Sequence, residues 1–138
     1  MKQEEKELLL KDLCSRLPYN PMVEYKSETY NVLGITQGRL VLCKPFMSKT
    51  LDKYPLVEEV KPYLFPLSSM TDEQEREFKG LLSEVYDFTF RMEELLEFIQ
   101  SQENIPFHFI DWLAQNNFDY RGLIPMGLAI DATNLNIY

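Results

Sequence analysis

The residue types that most often carry catalysis are few in this chain. His108 is the single histidine, and it stands between Phe107 and Phe109. A histidine in aromatic company is more often a packed side chain than a general base or a metal ligand. Cys14 and Cys43 are far apart and form no CxxC pair, so the usual spacing of a zinc site is missing. We therefore predict no catalytic residue, no bound metal and no cofactor.

The motifs of common enzyme classes are missing from the sequence as well. Neither the phosphate-binding patterns GxxxxGK[ST] and GxGxxG nor the nucleophile pattern GxSxG occurs. Carboxylates are plentiful but crowd into residues 67–104, where they favour a solvated helix face. A pocket that gathers His108, Asp111 and Asp119 is the arrangement that would instead favour an enzyme.

One charged pair, Asp119 and Arg121, stands inside the apolar tail of the chain. The favoured interpretation is structural: Arg121 pairs with Asp119 or with a helix C-terminus and anchors the tail. The alternative is a partner contact made by Tyr120 and Arg121, because tyrosine and arginine are typical of interface hot spots. Trp112 has the same two interpretations, with core packing preferred.

The first half of the chain changes from a helical to a strand-like period. Residues 3–16 form an amphipathic helical pattern that the prolines at 18 and 21 terminate. Residues 22–61 show the alternation of three to five short antiparallel strands, the last of them at 57–61. The proline-rich segment 62–67 reads as a connector whose aromatic residues pack on this sheet.

The second half of the chain predicts helices. Thr71 and Gln74 are spaced as a capping box at the start of the first of them. Pro106 suits the first turn of a further helix, for which Asn117 is a plausible C-terminal cap. The glycine-punctuated tail that follows is apolar, so we expect it to pack against the rest of the protein.

Apolar residues recur at heptad spacing over residues 78–99, and this stripe has two interpretations. The pattern favours a core face. The alternative is a docking face, either for a partner through Met92 and Leu95 or for self-association. Aromatic residues alternate at period two within residues 84–100, so a strand is the alternative to a helix there.

Size and pattern together predict one α+β domain over residues 1–138. An N-terminal helix occupies residues 1–21, and a small antiparallel sheet, SH3-like by analogy, occupies residues 22–66. Residues 67–138 supply the helical C-terminal half with its packed tail.

The formal net charge is −8, and it is unevenly distributed. Residues 67–104 hold ten acidic and three basic residues, whereas residues 17–66 hold six basic and five acidic residues. Acidic surfaces repel nucleic-acid phosphates, so a protein partner is favoured over nucleic acid. Any direct nucleic-acid binding would use the basic residues of the sheet segment, Lys26, Arg39, Lys44, Lys49 and Lys53. The alternative role in nucleic-acid handling is mimicry of DNA by the acidic segment 67–104, which would occupy a DNA-binding enzyme.

The chain shows neither the pattern of a signal peptide nor an apolar stretch long enough to span a membrane. The expected location is the cytoplasm, with no membrane partner. Cys14 and Cys43 both stand in apolar company, which predicts reduced and buried thiols.

Three blocks of sequence, residues 8–19, 59–71 and 118–138, together resemble an uncharacterised family of small proteins from Bacteroides-type gut bacteria. They cover about a third of the chain. The resemblance implies a bacterial cytoplasmic protein associated with phage or other mobile elements, and it implies no activity, cofactor or site residue. The sequence as a whole favours a non-enzymatic protein-interaction module, an accessory protein of such an element.

Overall fold

The computed structural model describes residues 1–45, 51–85 and 107–138. Three helices and seven short strands make up the described part, which confirms the α+β class. The helices are α1 (Gln3–Arg16), α2 (Asp72–Val85) and α3 (Phe107–Gln115). The strands are β1 (Met22–Tyr25), β2 (Glu28–Thr36), β3 (Arg39–Cys43), β4 (Leu51–Lys53), β5 (Lys61–Pro66), β6 (Phe118–Asp119) and β7 (Ile130–Asp131). Short 3-10 turns lie at Leu17–Tyr19, Val57–Glu59 and Leu67–Ser69.

Helix α1 has the predicted bounds, but its inner face is only half apolar. Leu9, Asp12, Leu13 and Arg16 are its buried residues, and their spacing of three, four and seven places them on one face of a helix. Cys14 is exposed, so the prediction of a buried thiol was wrong there. It follows Leu13 by one position, and neighbouring residues of a helix point about 100° apart. Cys43 is buried, as predicted.

The sheet has the order β4-β3-β2-β1-β5-β6, and β7 also pairs with β5. Strands β1 to β5 pair in antiparallel fashion, whereas β6 and β7 run parallel to β5. Two-residue turns with positive φ join the first three strands, at Lys26-Ser27 and Gln37-Gly38. The antiparallel strands of residues 22–66 are therefore part of a mixed sheet, because the tail adds two parallel strands.

Strand β5 joins the sheet of the first half of the chain to the tail, because it pairs with β1 and also with β6 and β7. The sequence predicted the last strand at residues 57–61 instead. Residues 57–59 form a 3-10 turn, and the predicted connector is itself the strand. The carbonyl of Leu64 accepts from the Ala132 N–H at 2.9 Å, while the Phe65 N–H donates to the Asn117 carbonyl at 2.8 Å. These two groups belong to one peptide unit and point to opposite sides. Tail residues therefore flank β5 on both edges.

The helical signals after residue 70 are confirmed where the structure describes them. The Thr71 N–H donates to Gln74 Oε1 at 2.9 Å, and the Gln74 N–H donates to Thr71 Oγ1 at 3.1 Å, which is the predicted capping box. Helix α3 ends at Gln115, and Asn117, two residues beyond it, has a φ of 62° and donates its N–H to the Ala114 carbonyl. Residues 86–106 lie outside the described part, and with them most of the 78–99 stripe, including Met92 and Leu95.

Two clusters of buried side chains form the core. The first lies between α1, the sheet and the tail, and it includes Leu9, Leu13, Val23, Val32, Leu42, Leu123 and Leu128. The second joins α2, α3 and β6, and it includes Leu67, Phe78, Phe109, Trp112, Leu113, Phe118 and Tyr120. The tail is packed, as the sequence predicted, because both clusters draw on it.

Candidate functional site

A buried ionic cluster fastens the tail to α1. Asp12 is fully buried, and it accepts from Arg16 Nε at 2.8 Å, from Arg16 Nη2 at 3.0 Å and from Arg121 Nη1 at 2.9 Å. Arg16 also donates to the Phe118 carbonyl at 2.7 Å. Burial by itself lowers the pKa of Arg16, but the charge and hydrogen bonds of Asp12 outweigh it and raise that pKa above its usual value.

Two hydroxyl groups complete this cluster. Arg121 Nη1 lies 2.7 Å from the Tyr120 hydroxyl and 3.3 Å from Ser15 Oγ, and these two oxygens are 2.8 Å apart. The guanidinium groups of Arg16 and Arg121 also lie over the Tyr120 ring, at 5.0 and 4.6 Å from its centre. The carboxylate, both guanidinium groups and both hydroxyl groups each bind another member of the cluster, which is the arrangement of a structural clamp.

The anchoring role predicted for Arg121 is confirmed, but of its two predicted partners Asp119 was wrong. Arg121 pairs with Asp12 of α1, while Asp119 accepts the backbone N–H groups of Leu123 and Ile124 at 2.8 and 2.9 Å. Asp119 thus shapes the turn that follows it. A carboxylate that accepts two N–H groups fixes its segment firmly.

The residues considered for a partner contact in the tail and α3 lie in the interior. Tyr120 and Trp112 are buried, and the Arg121 side chain is 14% exposed. The Trp112 indole N–H donates to Glu77 at 3.0 Å, and its ring stacks on Phe118. Burial leaves these three residues little surface to offer a partner, so their observed role is packing.

The basic residues considered for nucleic acid do not all lie at one place in the described part of the sheet, although Lys44 and Lys53 both lie near Glu28 and lower its pKa. Lys26 lies in the β1–β2 turn, whereas Arg39 begins β3 beside the other end of β2, roughly 25 Å away along the strand. Lys44 forms an ion pair with Glu28 at 3.0 Å, and Arg39 donates to the Tyr54 carbonyl. Lys53 ends β4, and Lys49 lies outside the described residues.

The other predicted candidates are equally dispersed or undescribed. Asp111 accepts a hydrogen bond from the Tyr19 hydroxyl, which raises the pKa of Tyr19, and Asp119 caps the tail turn. The side chain of His108 is outside the described set. Among the residues that are described, no three His, Cys, Asp or Glu side chains form a group suited to a metal ion.

An open groove of about 470 Å³ lies on the outer face of the sheet, and we call it the Leu33 groove. Its lining combines the Leu17–Tyr19 turn, the sheet, the end of β3 and the tail. The lining residues are Tyr19, Asn20, Met22, Asn31, Leu33, Cys43, Lys44, Pro45 and Tyr138. The volume falls within the range of ligand-binding pockets, about 300–1,000 Å³.

The floor of the groove is a row of three side chains on adjacent strands, Met22, Asn31 and Cys43. Asn31 stands opposite Met22 of β1 on one side and opposite Cys43 of β3 on the other. Leu33 is two positions from Asn31, and the β2–β3 register shifts between Val32 and Gly34. Leu33 lies on the same outer face as Asn31, at this β-bulge, and it is 50% exposed beside the groove.

The same bulge explains the inner face of β2. Tyr30 and Val32 point to the first core cluster, as the alternation of a strand requires. Beyond the bulge Ile35, rather than Gly34, packs against that cluster. The run of apolar residues from Val32 to Ile35 breaks the period of two, and this break was the available sequence signal for the groove.

The tail builds one wall of the groove through Tyr138. Its hydroxyl donates to the Tyr63 carbonyl at 2.8 Å and accepts from the Met22 N–H at 3.3 Å. The hydroxyl thereby bridges β1 and β5 next to their paired residues, while 47% of the side chain stays exposed. Burial of the hydroxyl raises the pKa of Tyr138 to about 12.

Replacing Tyr138 by Phe is expected to lower the free energy of unfolding by about 1–2 kcal/mol, because the variant loses both hydrogen bonds of the hydroxyl. Urea denaturation followed by circular dichroism measures this change. The control is Tyr54→Phe, an exposed tyrosine, for which we expect less than about 0.5 kcal/mol. Equal effects in the two variants would contradict the bridging role.

The raised pKa of Tyr138 adds a pH signature to the same variant. The native state holds the phenol proton more tightly than the unfolded chain, whose tyrosine pKa is 10.0. The stabilising contribution is therefore complete below pH 10 and is lost as the pH rises towards 12. Tyr138→Phe should show a smaller loss of stability between pH 9 and pH 11.5 than the wild type.

A second cavity of about 240 Å³ lies at the start of α2, lined by Phe65, Ser69, Thr71, Gln74, Phe118 and Thr133. Several of its polar groups are already used. Thr71 and Gln74 form the capping box, and Ser69 Oγ donates to the Pro66 carbonyl at 2.6 Å. The Leu33 groove is therefore the better candidate site.

Comparison with known proteins finds no matching family model, no matching curated protein and no matching solved structure. The geometry of the chain itself is thus what bears on its function.

Proposed function

We propose that this protein is a non-enzymatic interaction module that binds a segment of another protein in the Leu33 groove. The single observation that carries the proposal is the half-exposed Leu33, which lies at a β-bulge beside a 470 Å³ groove. Isolated exposed leucines are common on protein surfaces. Leu33 differs from these because it lies at both a β-bulge and a groove, and bulges are over-represented next to active sites.

The energetics of the groove suit recognition of a side chain. Burying a leucine completely contributes about 1.5–3 kcal/mol, so covering the exposed half of Leu33 would contribute about 1 kcal/mol. Met22 supplies an adaptable apolar surface beside it, and the exposed Tyr138 ring supplies an aromatic one. Aromatic residues and methionine are enriched at interfaces, which supports a protein partner.

The buried clamp supports the same proposal from another direction. Asp12, Arg16, Ser15, Tyr120 and Arg121 include the groups with the chemistry for acid–base or nucleophilic steps, and they are hydrogen-bonded to one another. Their effect is to hold the tail against α1. A fixed tail presents Tyr138 as a stable groove wall, and a preorganised surface binds with less entropic cost.

Leu33→Asp is the variant that tests this proposal. A charge in the groove should reduce partner binding about tenfold or more, since it removes an apolar contact and buries a carboxylate. The measurement is capture of binding partners from a lysate of a Bacteroides-type host, with and without nuclease, read by mass spectrometry. Leu135→Asp is the matched control, because Leu135 is 48% exposed and is not among the groove-lining residues.

Each result has a clear meaning. A nuclease-resistant partner that Leu135→Asp keeps and Leu33→Asp loses is the expected outcome. Retention of the same partner by both variants would contradict the groove as the binding surface. Thermal unfolding of the variants, expected to match the wild type closely, separates loss of binding from loss of fold.

Several finer parts of the proposal rest on sequence alone. The accessory role in a phage or mobile element and the bacterial cytoplasmic location rest on the family resemblance. Self-association through residues 78–99 rests on the heptad spacing, and the SH3-like form of the sheet rests on strand spacing. Of the helices that the structure describes, none has the length and apolarity to cross a membrane.

Nucleic-acid handling is the second candidate, and one observation favours it. Lys44 lines the groove together with two tyrosines, Tyr19 and Tyr138, and lysine with aromatic rings is a combination that binds single strands. Direct binding predicts a steep loss of affinity with salt. Mimicry of DNA by residues 67–104 predicts instead that the protein competes with DNA for an enzyme.

A further inference from the structure

We infer that the segment which binds in the Leu33 groove is uncharged and rich in proline, and that it binds in the extended polyproline II conformation. This inference deepens the proposed function and rests on it. Two prolines three positions apart would pack at the two ends of the groove floor, against Met22 and Cys43. A backbone carbonyl between them would accept a hydrogen bond from the Asn31 amide.

The charge of the described lining is the first argument. Lys44 lines the groove, but its ammonium group lies 3.0 Å from Glu28 Oε2 and 4.7 Å from the centre of the Tyr30 ring. Tyr30 faces the first core cluster, so the ammonium group lies on the opposite face of β2 from Leu33. No other residue of the described lining carries a full charge at neutral pH. A charged side chain of a partner would therefore lose water in the groove without gaining a counter-ion.

Two tyrosine rings give the groove aromatic walls. The Tyr19 hydroxyl donates to Asp111. The Tyr138 hydroxyl bridges Met22 and Tyr63. Each hydroxyl is thus bound within the protein, so both rings are held in place and present their apolar faces to a partner. Proline-rich segments dock in grooves with aromatic walls of this kind.

The position of the groove on the face of a sheet limits what a partner backbone can bind. Met22, Asn31 and Cys43 belong to adjacent paired strands, and the ladder hydrogen bonds use the backbone groups between these strands. An ordinary extended segment that covered this face would leave N–H groups without acceptors, which is costly once water is excluded. Proline has no N–H group, so a proline-rich segment avoids this cost.

The side-chain amide of Asn31 supplies a donor in the middle of the floor. Its Nδ2 donates to the Asn20 carbonyl at 3.3 Å, which uses one of the two N–H groups of the amide. The second N–H group matches a carbonyl of the partner. Carbonyls of an α-helix are bonded within the helix, whereas those of polyproline II are free. The amide therefore favours an extended segment over an amphipathic helix.

The length of the floor matches one turn of polyproline II. The row from Met22 through Asn31 to Cys43 crosses three strands, a distance of about 10 Å. A polyproline II helix rises about 3.1 Å per residue and completes a turn in about three residues, so residues three positions apart lie about 9 Å apart on one face. Two prolines at this spacing therefore reach both ends of the floor.

The experiment is selection from a phage-displayed library of random 12-residue peptides on the immobilised full chain, with Leu33→Asp as the counter-selection. We expect enriched peptides with two prolines three positions apart and no charged residue between them. An enriched peptide is then synthesised twice, once as selected and once with alanine at both proline positions. Isothermal titration calorimetry measures both peptides, and we expect the alanine analogue to bind about tenfold more weakly because it is less preorganised.

Variants of the lining assign the contacts. Tyr19→Leu should weaken binding of the proline peptide about fivefold, whereas Tyr19→Phe should leave it within about twofold, because the hydroxyl is bound to Asp111. Asn31→Ala should weaken binding about fivefold through loss of the donor. The control for Asn31→Ala is Thr29→Ala, since Thr29 lies on the same strand and face but is not among the lining residues.

The outcomes separate this inference from the proposed function. Peptides that depend on Leu33 but show no preference for proline, or that become helical on binding, overturn the partner class alone. Failure to enrich any Leu33-dependent peptide overturns the binding groove with it. Binding of oligo-dT that Leu33→Asp weakens, or a dimer that Leu33→Asp dissolves in sedimentation, would replace the peptide by a nucleic acid or by a second copy. Circular dichroism of each variant confirms that it is folded.

Discussion

Replacing Asp12 by Asn is expected to lower the free energy of unfolding by about 3–5 kcal/mol. The carboxylate is fully buried, and it balances two guanidinium groups, those of Arg16 and Arg121. The amide keeps the size of the side chain but removes the charge. Arg16 is then left at 1% side-chain exposure without a counter-ion. Arg16 Nη1 is already buried without a hydrogen-bond partner among the described residues, so the guanidinium would keep only the Phe118 carbonyl and the Tyr120 ring as partners.

Urea denaturation is the measurement for Asp12→Asn, with Glu7→Gln as its control. Glu7 belongs to the same helix and is exposed, so the same change of charge there should cost less than about 0.5 kcal/mol. The double variant Asp12→Leu with Arg16→Met should recover much of the loss, because it removes both buried charges together. A cost below about 1 kcal/mol for Asp12→Asn would mean that water reaches the cluster and that the clamp is weak.

Phe78→Ala is expected to cost about 3–5 kcal/mol, which is the usual range for removing a buried phenylalanine. Phe78 has no exposed surface, and its ring lies 5.1 Å from that of Trp112 and 6.1 Å from that of Phe109. Both neighbours belong to α3, so the contact joins α2 to α3. Truncation would leave a cavity inside an aromatic cluster that has few small side chains to fill it.

The same urea titration measures the Phe78→Ala effect. Tryptophan fluorescence followed during the titration reports directly on Trp112, the single tryptophan of the chain. Tyr54→Ala is the control, since that ring is 47% exposed and should cost less than about 1 kcal/mol. An effect near the control value would show that the start of the 78–99 stripe contributes little to the core. The expected large effect would support the core interpretation for this first member of the stripe.

Local signals in the sequence predicted the elements that local physics determines. The bounds of α1, the capping box of Thr71 and Gln74, and the positive φ of Asn117 all depend on residues within one or two helical turns. Helix caps and proline breaks act over this range, so a single sequence contains them. The packing of the tail was also predictable, because an apolar tail gains free energy by burial.

The features that sequence reasoning missed depend on distant residues. Strand β5 carries Pro62 and Pro66, and prolines usually oppose an assignment to a central strand. The residues between them supply the hydrogen bonds that hold the tail, and those partners lie more than fifty positions away. Asp12 and Arg16 are of residue types that usually lie at the surface, although their spacing places them on the face of Leu9 and Leu13.

The clamp between α1 and the tail has a consequence for folding of the protein during its synthesis on the ribosome. Asp12 and Arg121 are 109 positions apart, and β5 gains its parallel neighbours from residues beyond 117. At about 5–20 residues per second, synthesis of the intervening chain takes roughly 5–20 s. During that interval the Asp12–Arg16 pair of α1 lacks Arg121 and the Phe118 carbonyl, and one edge of β5 is unpaired. The nascent chain therefore exposes an unpaired strand edge, to which other chains can bind, until its tail is synthesised. Folding is completed only at that late stage and not segment by segment.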